Sequence, residues 1–123
     1  MNWFEPAIFN DSSHVEASET KNQFEGGWFA NPIFVNGKYP DIMREKIDAK
    51  SKAQGFTESR LPHFTDEESL EILGSADFLG LNFYTTSLVY PTPPDQIDPS
   101  KMNWDVDSDV SSFKGVIIQL SQQ

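Results

Sequence analysis

The chain has 123 residues, a net charge of −10 from nineteen acids against nine bases, a hydrophobic fraction of 37% and no cysteine. That length holds one domain and not two substantial ones, and the charge opposes phosphate backbones and anionic lipid surfaces, so neither a nucleic acid nor a membrane is an expected partner. The absence of cysteine excludes a disulfide framework, a thiolate zinc site and a cysteine nucleophile.

The first residues, "MNWFEPAIFNDSS", carry no basic segment followed by an apolar one, so no signal peptide is visible and the compartment stays open. No apolar run approaches the roughly 20 residues of a membrane-spanning helix. Residues 1–10 read as the tail of a strand or a loop, with Pro6 blocking a regular continuation. Asn10-Asp11-Ser12 is a glycosylation sequon if the chain is secreted. Ser13 and Glu16 form an S-x-x-E capping pattern that predicts a helix start, with Asp11 adding favourable charge. Phe24 and Trp28 share one face of that helix, and Gly26-Gly27 is expected to end its regular part between them.

"ANPIFVNGKYP" reads as loop, with Asn36-Gly37 as its turn. Pro40 suits the first position of a second helix, residues 40–55, whose buried stripe is Met43 and Ile47. Lys50 and Lys52 complement its negative end, and Gly55 is the expected terminator. Asp41 and Glu45 belong to its solvated face. "RLPHF" is a connector, followed by a second capping box, Thr65 with Glu68, and a short helix carrying Leu70 and Leu73 that stops at Gly74. A strand is expected at once, "ADFLGLNFY", residues 76–84. From Pro91 the Pro- and Asp-rich run lacks periodicity and reads as a long loop, with "VIIQL" as a possible strand fragment. The expected division is therefore 1–90 as the packed unit and 91–123 as an acidic loop with an atypical tail. Alternating helices and strands of these lengths favour an α/β fold with parallel strands.

Along the expected strand, Leu79, Leu81 and Phe83 share one face and Phe78, Gly80, Asn82 and Tyr84 the other. The first face is wholly apolar and suits packing under helices. The second turns polar toward the C-terminal end, where barrel enzymes assemble their sites. Asn82 and Tyr84 are thus candidate pocket residues. The plainer alternative is that Asn82 satisfies a loop carbonyl and Tyr84 is an ordinary wall residue.

"GGWFANPIFVNGKYPDIMREKI" and "RLPHFTDEESLEILGSADFLGLNFYTT" together resemble the family 1 glycoside hydrolases, the animal β-glucosidases, lactase-type enzymes and myrosinases among them. The resemblance runs from about Asn2 to Ser112. It implies an incomplete (β/α)8 TIM barrel, from the end of strand five through strand six and its following loop. It also implies that Tyr84 hydrogen bonds the nucleophilic glutamate beside the sugar, that Asn82 lines the same pocket, and that the partner of the complete enzyme is a small-molecule β-glycoside. The family's more frequent N-Y-Y stands here as Asn82-Phe83-Tyr84.

Retaining glycosidases need two carboxyl groups about 5–5.5 Å apart, one to protonate the leaving oxygen and one to attack the anomeric carbon. The family carries them in N-E-P and E-N-G motifs, and neither motif occurs in this sequence. Glu5-Pro6 only superficially resembles the first. Its segment resembles the end of the family's strand five, where a comparable W-x-E-P is common. The expectation is therefore a fragment that contributes substrate-binding residues and no catalytic residue. The alternative is a truncated non-catalytic product, at most an acidic interaction or carbohydrate-binding remnant. The start inside a strand-five segment and the ending "FKGVIIQLSQQ" read as losses at both ends. His14 and His63 stand alone, without metal-ligand spacing, so no metal or cofactor is expected. Oligomeric state is left open.

Overall fold

A computed structural model describes residues 1–114. Its elements in chain order are β1 (Trp3–Pro6), α1 (Ser12–Asn22), a wide π-helical turn (Gln23–Gly27), α2 (Trp28–Asn31), a second π-helical turn (Pro32–Asn36), α3 (Asp41–Ala53), α4 (Asp66–Ile72), β2 (Thr86–Pro91), a 3-10 turn (Pro94–Gln96), α5 (Trp104–Asp107) and β3 (Val110–Phe113). The sheet runs β1-β2-β3, with β1 and β2 parallel and β2 and β3 antiparallel. In register, Phe4 lies beside Ser87 and Pro6 beside Val89. These residues are buried, and α1 packs over this side of the sheet. Ser18 Oγ and Asn22 Nδ2 both donate to the Phe4 carbonyl, at 2.8 and 2.9 Å.

The first helix starts one turn-signal earlier than expected. Asp11 is its N-cap, with extended backbone, and its carboxylate accepts from the Ser13 amide at 2.9 Å and the Ser13 hydroxyl at 2.7 Å. A capping box between Ser13 and Glu16 does not form, because Asp11 already supplies the acceptor and draws Ser13 into the helix. The Ser13 hydroxyl and amide hold the Asp11 carboxyl below its ordinary value.

Residues 30–36 are helical, not loop. The backbone stays right-handed through Gly27 and Pro32, and the π turns widen the helix where the two glycines and the proline stand. The run ends at Gly37, which takes φ 74. Pro40 is the N-cap of α3 rather than its first helical residue. Met43 and Ile47 are buried, and with Phe24 and Leu61 they form a core against which Trp28 and Tyr39 pack. Each such side chain contributes about 1.5–3 kcal/mol through removal from water. Gly55 and Gly74 take positive φ just past the ends of α3 and α4, and Thr65 and Glu68 make the reciprocal capping box at the start of α4.

The expected strand at 76–84 is not one. The regular ladder begins at Thr86 because the register slips upstream of it. Trp3 pairs with Thr86. Met1, however, donates its amine to the Asn82 carbonyl at 2.9 Å and accepts from the Tyr84 amide at 3.3 Å, which places it beside Phe83. Two steps along one strand thus span three along the other, a bulge that breaks the pairing. Residues 76–81 make no backbone hydrogen bond among the described residues.

The Pro- and Asp-rich run is also more ordered than a loop. It folds back through α5 into β3, which pairs Phe113 with Leu88 and Val110 with Pro91. Ion pairs hold it. Buried Lys21 of α1 bonds Asp105 and, at 3.2 Å, Ser108 Oγ, while its ammonium lies over the Phe4 and Trp104 rings. Arg60 grips the buried Asp107 with two bonds of 3.0 and 2.8 Å. Lys46 and Lys50 of α3 meet the two oxygens of Asp109 at 3.0 and 2.5 Å. Asp109 itself sits at φ 54, a left-handed conformation that a non-glycine residue takes only when its surroundings hold it there. "VIIQL" lies outside the described residues.

Candidate substrate-binding edge

The two candidate pocket residues lie on the segment between α4 and β2, which runs from Phe78 to Thr85 without a turn. Asn82 and Tyr84 are brought together: Asn82 Nδ2 donates to Tyr84 Oη at 3.0 Å. An i, i+2 contact of this kind requires both side chains to leave the same side of an extended backbone. Both are exposed, and Tyr84 keeps 71% of its surface open. Because the phenol oxygen accepts from the amide, its own O–H is left without an acceptor among the described residues. The pair is therefore an oriented donor aimed away from the fold, suited to an anionic or hydroxylic group.

Leu79 and Leu81 project elsewhere. With Gly80 they line an apolar groove of about 450 Å³ together with Met1, Phe24 and Trp28. Neither Asn82 nor Tyr84 lines it. The expected division of the segment is kept only in part. Leu79 and Leu81 line the groove and Asn82 and Tyr84 do not, but Gly80, expected on the polar side, lines it too. Both leucines stay more than half exposed, the segment is not a regular strand and Phe83 is largely exposed. Nothing in the sequence marks Met1 or Phe29, which also line the groove, as groove residues. Phe24 and Trp28, at i and i+4, were the available signal.

Glu5, the superficial acid candidate, is on β1, where its carboxylate accepts from Trp3 Nε1 at 2.8 Å. The bond occupies it locally. Among the described residues no group of three His, Asp or Glu side chains is arranged to hold a metal ion. His63 is exposed, and His14 lies against Tyr90 at 6.4 Å between ring centroids.

Residues 1–115 match the model of glycosyl hydrolase family 1. Lactase/phlorizin hydrolase of Rattus norvegicus is 48% identical over 88 residues, which is 72% of this chain and 5% of that protein. The structure of an aphid myrosinase superposes with a TM-score of 0.80 at 34% identity, covering 94% of this chain and 24% of that one. A rice β-glucosidase mutant, solved as a covalent complex with Glc, superposes with a TM-score of 0.75 at 33% identity, covering 91% of this chain and 21% of its own. The chain thus spans about a quarter or less of the proteins it resembles. The solved neighbours are TIM-barrel enzymes, of which the described residues form an α/β piece with a three-stranded sheet. At this extent of agreement, the chain belongs to glycosyl hydrolase family 1.

Proposed function

We propose that the chain is a sector of a retaining β-glucosidase-type hydrolase of O-glycosyl bonds, and that Asn82 and Tyr84 line the pocket of the sugar whose bond is cleaved. The sector runs from the end of the fifth barrel strand through the sixth and its following loop. The substrate class of the whole protein is a small-molecule β-glycoside.

The observation that carries the reading is the Asn82–Tyr84 hydrogen bond of 3.0 Å, in which the phenol oxygen accepts and its proton has no partner among the described residues. In a retaining mechanism a carboxylate attacks the anomeric carbon and is later released by water. A phenol donating to that carboxylate fixes its orientation and keeps it ionised. The amide beside it sets the direction of the phenol, and its remaining donor and acceptor are available to sugar hydroxyls. The covalent sugar complex of the rice relative supports the retaining assignment for the family. The acid/base and the nucleophile are supplied by segments other than this one, since the sequence holds neither N-E-P nor E-N-G.

A sector exchange tests the role of the pair. Residues 1–91 are put in place of the corresponding sector of the rice β-glucosidase, and hydrolysis of an aryl β-glucoside is measured with and without Tyr84→Phe. The expected result is an active chimera whose kcat falls by about 100–1,000-fold in the variant, with a smaller change in KM, as for loss of one preorganised donor. An active chimera indifferent to Tyr84→Phe removes Tyr84 from the site.

A further inference from the structure

Asp105, Asp107 and Asp109 stand at alternate positions, and each meets cations from a different element. Asp105 bonds Lys21 of α1, Asp107 receives both terminal nitrogens of Arg60 in the connector, and Asp109 receives Lys46 and Lys50 of α3. Both partners of every pair lie within this chain. The pairs differ in burial. The Asp107 and Arg60 side chains are 2% and 17% exposed, that of Asp109 is 23% exposed, and that of Asp105 is 64% exposed. Salt screens open charges strongly and enclosed ones weakly. The middle pair is therefore the salt-resistant one, and the outer two are salt-labile.

The chain just before Asp107 depends on those outer pairs. No residue from Thr92 to Val106 is buried, so apolar packing does little to hold this segment. Polar bonds tie it down instead. The Thr92 amide donates to the Asp109 carbonyl at 2.9 Å, and Lys50 Nζ donates to the Val106 carbonyl at 2.8 Å. Thr92 Oγ1 lies 2.9 Å from Ser111 Oγ, and Gln54 Nε2 donates to the Pro99 carbonyl at 2.9 Å. Two of these four bonds run through Asp109 or its lysine partner. Asp109 also holds φ 54, a conformation whose cost is relieved when the residue is released.

We propose that Thr92–Val106 is a salt-operated flap. It swings between two fixed points, the end of β2 and the Arg60–Asp107 pin, and latches at Asp105 and Asp109 hold it shut at low ionic strength. Opening withdraws Trp104 from the groove that it lines beside Leu79 and Leu81, the residues just before Asn82. The flap thus reaches the candidate pocket segment from its groove side, whatever that segment binds.

Limited trypsin digestion of the complete chain tests this. Lys101 is an exposed cleavage site inside the flap, whereas Arg44 lies within α3 and is cut only when that helix unfolds. The ratio of the two rates reports local opening. Raising salt from about 0.1 M to about 1 M shortens the screening length from about 10 Å to about 3 Å. Cleavage at Lys101 is expected to accelerate about tenfold, with the Arg44 rate and the circular dichroism spectrum unchanged. Asp109→Asn removes the charge and keeps a side chain that tolerates left-handed backbone. That variant is expected to be cut rapidly already at the lower salt and to respond less than about threefold to the higher. Asp95→Asn, an exposed change within the same flap, is expected to behave as the wild type. No salt response at Lys101, equal acceleration at Arg44, Asp109→Asn cut as slowly as the wild type, or Asp95→Asn cut as fast as Asp109→Asn would each overturn the proposal.

Discussion

Removing the carboxylate of Asp107 should cost the chain far more than removing a carboxylate from a surface ion pair. Asp107 is 2% exposed and receives both terminal nitrogens of Arg60, which is itself 17% exposed. Asp107→Ala strands a guanidinium in a nearly closed site, and breaking such a pair by removing one partner costs about 3–5 kcal/mol. The comparison is Asp48→Ala. Asp48 pairs with Arg44 at 3.3 Å on the surface of α3, with side chains 20% and 41% exposed. Arg44 there keeps its bonds to the Leu61 and Pro62 carbonyls, both 2.6 Å, when the carboxylate is gone. An exposed pair of this kind is worth about 0–1 kcal/mol. Urea unfolding followed by tryptophan emission measures both. Asp107→Ala should shift the midpoint by the larger amount or abolish the cooperative transition at 25 °C, while Asp48→Ala leaves it nearly in place. The double variant Arg60→Met with Asp107→Leu should recover much of the loss, since no charge is then left unpaired. Equal effects of the two single variants would refute the reasoning that burial decides the outcome.

Three smaller predictions accompany it. Gly37→Ala forces a side chain into φ 74 with its Cβ 2.6 Å from the Ser69 carbonyl oxygen, and should lower stability by about 1–3 kcal/mol in the same assay. Asp11→Ala should destabilise only above a threshold of pH. The Asp11 pKa is lowered in the folded chain, so its contribution is full above the unfolded value near 3.8 and fades as pH falls through the folded one. Wild type and variant should therefore converge in acid, and a gap that persists or widens there contradicts the cap. Tyr84→Phe should leave the stability of this chain within about 0.5 kcal/mol, because the ring is 71% exposed and its hydroxyl bonds only Asn82 among the described residues. A larger loss would mean that the phenol serves the fold.

Local signals were legible in the sequence because they act within one turn of chain. Thr65 with Glu68, the positive-φ glycines at 37, 55 and 74, and the Met43–Ile47 stripe all stand where spacing placed them. The misses have two physical origins. Gly26, Gly27 and Pro32 look like breakers, yet a π-helical turn accommodates them, and no single-residue propensity encodes that. Strands and loops depend on distant partners. "ADFLGLNFY" has a strand's composition but lacks a regular neighbour across the bulge at Tyr84, and the aperiodic run after Pro91 is ordered by cations on α1, α3 and the connector. The Asn82–Tyr84 pair was readable from spacing two. That the phenol oxygen would be an acceptor, with its proton free, required coordinates.

The central claim is that this chain forms part of a sugar pocket and supplies neither catalytic carboxylate. It is tested most directly by assaying the purified 123-residue chain on an aryl β-glucoside, beside a Glu5→Gln variant. The account predicts no turnover above the uncatalysed rate for either protein. Turnover that survives stringent purification and disappears in Glu5→Gln would contradict it, by making Glu5 a working acid in a complete site.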